Sequence, residues 1–163
     1  MNIFTIIFAR MDSKRLPGKA LLDLAGKPVL DYILDRAKHI DTKGILIATS
    51  LREIDDPIEN FSISRNIRCF RGAFEDVLDR ALQCSIKIRA DAILRICGDS
   101  PFLSIDNANQ ALLIMNKDKP DLVTTNHPRS WPIGTSIELV NTDTLKTITK
   151  FAINDEREHF LYH

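Results

Sequence analysis

With 163 residues, 44% of them hydrophobic and 27% charged, the chain is long enough for one domain with a substantial core. Its 22 Lys and Arg balance its 22 Asp and Glu, which argues against a dedicated nucleic-acid binder, where a basic domain is expected. No apolar run approaches the roughly 20 residues of a membrane span. The sequence enters a strand at once, without the regions of a signal peptide, and its cysteines, Cys69, Cys84 and Cys97, share no metal-type spacing. The expectation is a cytoplasmic protein with reduced thiols.

The first apolar run, Ile3 to Phe8, reads as a buried parallel strand. A basic loop follows. Residues 26–40 then place Val29, Leu30, Ile33, Leu34, Ala37 and Ile40 at helical spacing. Residues 43–50 form a second buried strand ending at Thr49-Ser50, and 52–64 read as a helix with Pro57 near its first turn. A short third strand, 67–70, ends at Arg71-Gly72. The helix after it, 74–88, turns Val77, Leu78, Ala81, Leu82 and Ile86 inward. Residues 91–97 are a fourth strand, 106–117 a helix and 121–126 a fifth strand. Strands alternating with helices give an α/β fold, a mainly parallel, doubly wound, Rossmann-like sheet. After Asn126 the pattern changes. Two prolines and a glycine precede another strand-like run, then an amphipathic helix over 141–152, then a charged helix capped by Asn154 or Asp155. The expectation is a single domain over 1–163 that is a fragment or a truncated product, because the chain stops inside that last helix.

The chemistry concentrates in IIFARMDSKRLPGKALL, Ile6 to Leu22. Arg10, Lys14, Arg15 and Lys19 fall within ten residues, and Pro17-Gly18 bends the loop so that its backbone can approach a ligand. A strand followed by a basic loop and a helix is how open α/β sheets hold anions outside the carboxyl ends of their strands. A nucleoside triphosphate is the fitting ligand. A P-loop is disfavoured: the first glycine position is Ser13, and Ala20 follows Gly18-Lys19 where a Ser or Thr hydroxyl would hold Mg²⁺. On residue types alone, a solvated basic loop remains open.

ARMDSKRLPGK resembles the nucleotide-binding signature of the cytidylyltransferases that activate acidic sugars. That group includes CMP-Kdo synthetase, the acylneuraminate cytidylyltransferases and the relatives named after spore-coat polysaccharide synthesis, and the last branch matches best. ATSLREIDDPI, FRGAFEDVLDRA, RICGDSPFL and EREH also match, in the family's order. The resemblance implies a nucleotide-diphospho-sugar transferase-like sheet, with a nucleotide-binding core over 1–126 and the start of an acceptor and dimerisation region over 127–163. It implies CTP and a sugar-acid acceptor as substrates, Mg²⁺ as cofactor and a possible homodimer, with no nucleic acid or membrane partner. Arg10, Arg15, Lys19 and Asp99 are the implied catalytic residues, Asp99 as the metal ligand. Ala9, Arg10, Ser13, Lys14, Arg15, Lys19, Thr49, Arg71, Gly72, Asp76, Arg80 and Gly98 would surround the nucleotide. A second metal-binding aspartate of the family would lie downstream of this chain.

Plainer readings stand beside these. Gly98-Asp99 is also a common turn dipeptide. Glu75 and Asp76 also suit a helix start, and Asp76 with Arg80 suits a surface i,i+4 pair. Thr125 and Asn126, at a strand end, could meet the acceptor, and Trp131 could lie under a sugar ring or fill the core. Arg157, Glu158 and His159 are structural or part of the acceptor site. Rival activities are a kinase or ATPase, which would prefer ATP, a nucleotide-binding remnant without turnover, and a nucleotidyltransferase acting on a sugar phosphate with another triphosphate.

Overall fold

The computed structural model describes residues 1–129, 131–132 and 134–160. Strand β1 (Ile3–Phe8) leads into a loop and a 3-10 turn at Lys19–Leu21. A small antiparallel hairpin, β2 (Asp23–Leu24) and β3 (Lys27–Pro28), follows and was not legible as strands. Then come α1 (Val29–Ala37), β4 (Ile45–Ser50), a 3-10 turn at Glu53–Asp55 and α2 (Asp56–Ser64). The chain continues through β5 (Arg68–Gly72), α3 (Val77–Ile88), β6 (Ala92–Cys97) and α4 (Ile105–Asp118). It closes with β7 (Leu122–Thr124), β8 (Glu138–Asn141), α5 (Thr142–Ile148) and a 3-10 turn at Asn154–Arg157.

The main sheet has six strands in the order β5-β4-β1-β6-β8-β7. The β5-β4-β1-β6 portion is parallel, as the unbroken apolar runs lead one to expect. One face buries Ile7, Ile47, Leu94 and Ile96 with Leu30, Ile33 and Leu34 of α1 and Leu112 and Met115 of α4. The other buries Ile6, Phe8, Leu46 and Ile93 with Leu78, Ala81 and Leu82 of α3 and Leu145 of α5. Helices on both faces make the sheet doubly wound.

Three details differ from expectation. Strand β8 runs antiparallel between β6 and β7, so β7 pairs with β8 and not with the parallel strands. Its centre, Leu139-Val140, is buried in both core layers, and only an interior position satisfies both. Ile86 is exposed, because the inward stripe of α3 runs through Leu78, Ala81, Leu82 and Ser85, and Ile86 falls outside it. The expected final helix is only a single 3-10 turn over the described residues. There Glu156 accepts from the Ile153 backbone N–H, and Asn154 takes a left-handed φ of 46° instead of capping. Residues 161–163 of that expectation lie outside the described residues.

After β1 the chain moves to one side of the sheet through β4 and β5, then crosses to the other side at β6. The reversal opens a crevice between the carboxyl ends of β1 and β6, the place where such sheets bind ligands. Gly98 makes the two ends meet. A Cβ there would lie 2.8 Å from the Ala9 Cβ and 2.9 Å from the Phe8 carbonyl oxygen. The Gly98 N–H donates to that same carbonyl at 2.8 Å.

Candidate nucleotide-binding site

A cleft of about 920 Å³ opens at this crevice. The basic loop forms one wall, from Arg10 through Ser13, Lys14 and Arg15 to Lys19. Gly98 and Asp99 form a second, and Phe74, Val77 and Arg80 a third. Arg95 lines the cleft as well, and Glu158 and His159 of the last turn close it on the remaining side. Nine of the implied residues therefore share one cleft: Ala9, Arg10, Ser13, Lys14, Arg15, Lys19, Arg80, Gly98 and Asp99.

The loop is a closed turn. The Gly18 N–H donates to the Met11 carbonyl at 2.6 Å, and Gly18 takes φ 71°, the left-handed region that glycine enters without strain. Lys14 and Arg15 stand exposed at its tip and make no ion pair among the described residues. Arg10 and Lys19 are engaged. Arg10 donates to Glu158 at 2.8 Å and lies 3.4 Å from Asp12, and Lys19 pairs with Asp99 across the cleft. Both are partly exposed pairs, worth little to stability, so an anion or a cation can displace either partner.

Arg80 differs. It is only 3% exposed. It donates to the Ala73 carbonyl at 2.9 Å, while its Nε is buried with no hydrogen-bond partner. Burial, with Arg10 next, pushes its pKa down to about 10; Asp55 opposes this, and Arg95 and Arg52 add to it. The guanidinium stays charged at neutral pH, desolvated among cations and facing the cleft. A buried charge of this kind calls for a counter-ion. Gly72 makes room for it, since a Cβ there would meet the Arg80 Cγ at 3.0 Å and the Phe70 ring at 2.9 Å.

Four implied residues do not line the cleft. Thr49 is fully buried within the sheet. Arg71 donates to the Ser50 and Arg52 carbonyls and pairs with Asp56 at 2.6 Å and Glu59 at 2.8 Å, so its charge is spent on α2. Gly72 spaces Arg80. Asp76 caps α3 by accepting from the Asp79 N–H and holds Arg157 through two 2.7 Å contacts, anchoring the turn that closes the cleft. Thr125 and Asn126 also turn elsewhere: Thr125 accepts from the Ile137 N–H, and Asn126 donates to Glu138. Trp131 is half exposed and fills no core.

Sequence reasoning passed over Arg95, which pairs with Glu138 at the base of the cleft. A charged residue inside the apolar strand AILRIC was the available signal. It also passed over Phe74, whose ring stacks 3.2 Å under the Arg52 guanidinium.

The family model for cytidylyltransferases matches residues 4–163. The chain belongs to the cytidylyltransferase family. The spore coat polysaccharide biosynthesis protein SpsF of Bacillus subtilis is 34% identical over 97% of this chain and 68% of its own length. The 3-deoxy-manno-octulosonate cytidylyltransferase of Francisella philomiragia is 33% identical over 77% of the chain and 50% of its own length. A cytidylyltransferase structure from Leptospira borgpetersenii superposes with a TM-score of 0.93 at 27% identity, covering 99% of this chain and 69% of that one. This cytidylyltransferase chain thus spans between 44% and 68% of the length of the curated relatives it matches. No helix among the described residues is long and apolar enough to cross a membrane.

Proposed function

We propose that the chain carries the nucleotide-binding half of a CTP-dependent transfer of a cytidylyl group to a sugar acid or related polysaccharide precursor. The observation that carries this is Arg80, a buried guanidinium with an unpartnered Nε, in a cleft whose basic loop offers Lys14 and Arg15 without an ion-pair partner among the described residues. Family membership points that demand for an anion to a cytidine nucleotide.

In this reading Arg10, Ser13, Lys14, Arg15 and Lys19 hold the triphosphate. The arginines grip oxygens bidentately and the lysines act as point charges. Arg80 meets a phosphate oxygen from below, and Ala9 and Gly98 line the nucleotide with backbone. The acceptor hydroxyl oxygen bonds to the α-phosphorus, the bond from that phosphorus to the oxygen bridging to the β-phosphate breaks, and pyrophosphate leaves with the bridging oxygen. The hydroxyl proton passes to water. Such a reaction needs alignment and charge neutralisation more than covalent help from the protein.

Mg²⁺ suits the donor set. It needs one or two carboxylates beside phosphate oxygens and water, and the Asp99 carboxylate, 39% exposed, lies on the cleft wall. Asp99 would hold the ion, which when bound neutralises charge on the α-phosphate and the leaving group. Lys19, released from Asp99, would then turn to phosphate. The sugar-acid acceptor, a homodimer and a cytoplasmic setting, consistent with three free cysteines, belong to the same proposal.

The test is pyrophosphate release from CTP and Mg²⁺ with a panel of 2-keto sugar acids, in this chain and in a version extended to the length of its relatives. Turnover with CTP and one acid in either version supports the reading. Turnover with ATP in place of CTP, or with sugar phosphates alone, replaces it.

A further inference from the structure

We infer that Asp55 is a positioning residue for the nucleotide-binding loop, an inference that rests on the nucleotide reading above. Asp55 lies on the 3-10 turn between β4 and α2 and is fully buried. Its sequence context, Asp55-Asp56-Pro57, reads as nothing more than a helix start. The structure gives its side chain another use. Oδ1 accepts the Met11 backbone N–H at 2.7 Å. Oδ2 accepts the Ser50 hydroxyl and lies 3.4 Å from the Arg52 guanidinium.

Met11 is the hinge of the loop, because its carbonyl receives the Gly18 N–H that closes the turn. The Asp55 carboxylate therefore grips the loop at its neck and ties it to the end of β4. A second route runs through Arg52. That guanidinium pairs with Asp12 at 2.8 Å and stacks on Phe74, and Asp12 in turn neighbours Arg10 at 3.4 Å. One buried carboxylate thus fixes the main chain at Met11 and, through Arg52 and Asp12, the lateral position of Arg10. A carboxylate is suited to this because it only accepts, and all three groups facing it donate. An asparagine would turn an amide N–H₂ toward the Met11 N–H or the Ser50 hydroxyl.

The experiment compares wild type, Asp55→Asn, Asp56→Asn and Arg52→Met. Hydrogen exchange at Met11 and tryptic cleavage after Lys14 and Arg15 report the loop, and calorimetric titration with CTP and Mg²⁺ reports its use. Asp55→Asn is expected to unprotect Met11, to speed loop cleavage about tenfold and to weaken CTP about tenfold, the loss of a charge-assisted hydrogen bond. Exchange in α4 and β6 should stay unchanged. Arg52→Met removes the guanidinium that joins Asp55 to Asp12 and stacks on Phe74, leaves the Asp55 carboxylate on the Met11 N–H, and is expected to weaken CTP about threefold with Met11 still protected. It keeps the test alive should Asp55→Asn fail to fold. Asp56→Asn, whose carboxylate serves Arg71, should leave loop and affinity alone. Unchanged loop protection in Asp55→Asn overturns the inference, as does a loosened loop with unchanged CTP affinity. If wild type binds no CTP, the function reading fails, while the clamp on Met11 is still decided by exchange and cleavage.

Discussion

Replacing Arg80 by methionine should stabilise the ligand-free protein and cripple its nucleotide binding. Arg80 is 3% exposed, and burial holds its pKa near 10, below the ordinary arginine value. A base whose folded pKa lies below its unfolded one binds its proton less tightly when folded. The folded state therefore carries the full cost at every pH below about 10, and is relieved only as the pH rises from there toward the unfolded value. At neutral pH that cost is about 3 kcal/mol. Methionine keeps the stem that packs over Gly72 and removes the charge. It also loses the bond to the Ala73 carbonyl and the contact with the Phe8 ring 5.8 Å away, together about 1–2 kcal/mol. The net gain is about 1–2 kcal/mol, which for a chain of this size raises Tm by about 4 °C. Thermal unfolding without ligand reads the gain. Calorimetry with CTP should then show affinity down by tenfold or more, so wild type overtakes the variant once nucleotide is present. A fall in the ligand-free Tm would refute the reasoning, because it would mean that the Arg80 charge is matched within the protein and awaits no ligand.

Gly98→Ala should lower Tm by several degrees and weaken nucleotide binding together, since its Cβ would sit 2.8 Å from that of Ala9 and must spread β1 from β6; an unchanged melting curve contradicts the packing argument. Glu158→Gln frees Arg10 from a half-exposed pair and should tighten CTP two- to fivefold, about the worth of such a pair, with weaker binding the contrary result. Burial pushes the Cys84 thiol up to about 12 and raises Cys97 and Cys69 as well. Thiolate is therefore scarce at pH 8, and iodoacetamide should label the folded chain slowly and the chain in denaturant fast; fast labelling of the folded chain would refute this.

The parallel half of the sheet was legible because buried strands are written as unbroken apolar runs, as in IFTIIF and ILIATS, and the helices between them as stripes. Strand β8 was legible as a strand-like run, but its antiparallel place in the sheet was not, because that is decided by which edge of β6 is still open. The loop cations and Asp99 were legible from local motif chemistry. The partners of Arg71 and Asp76 were not. Both sit in motif positions, yet Asp56, Glu59 and Arg157 take their charges, and a sequence does not reveal which neighbour reaches a charge first. Arg80 carried a readable sign, since it falls on the buried face of α3 between Val77 and Cys84. A cation there already marks an unusual position, though the acid one turn before it, Asp76, suggests a partner that the structure gives to Arg157 instead. The role of Asp55 depends on a contact across 44 positions, which no local pattern encodes.

The most direct measurement of the central claim is a calorimetric titration of this chain with CTP, ATP, GTP and UTP, each with Mg²⁺, repeated on Arg15→Ala and Asp99→Ala. The account predicts one site per chain that prefers CTP, is weakened by both substitutions, and loses its Mg²⁺ dependence in Asp99→Ala. A preference for ATP, or CTP binding indifferent to both substitutions, would contradict it.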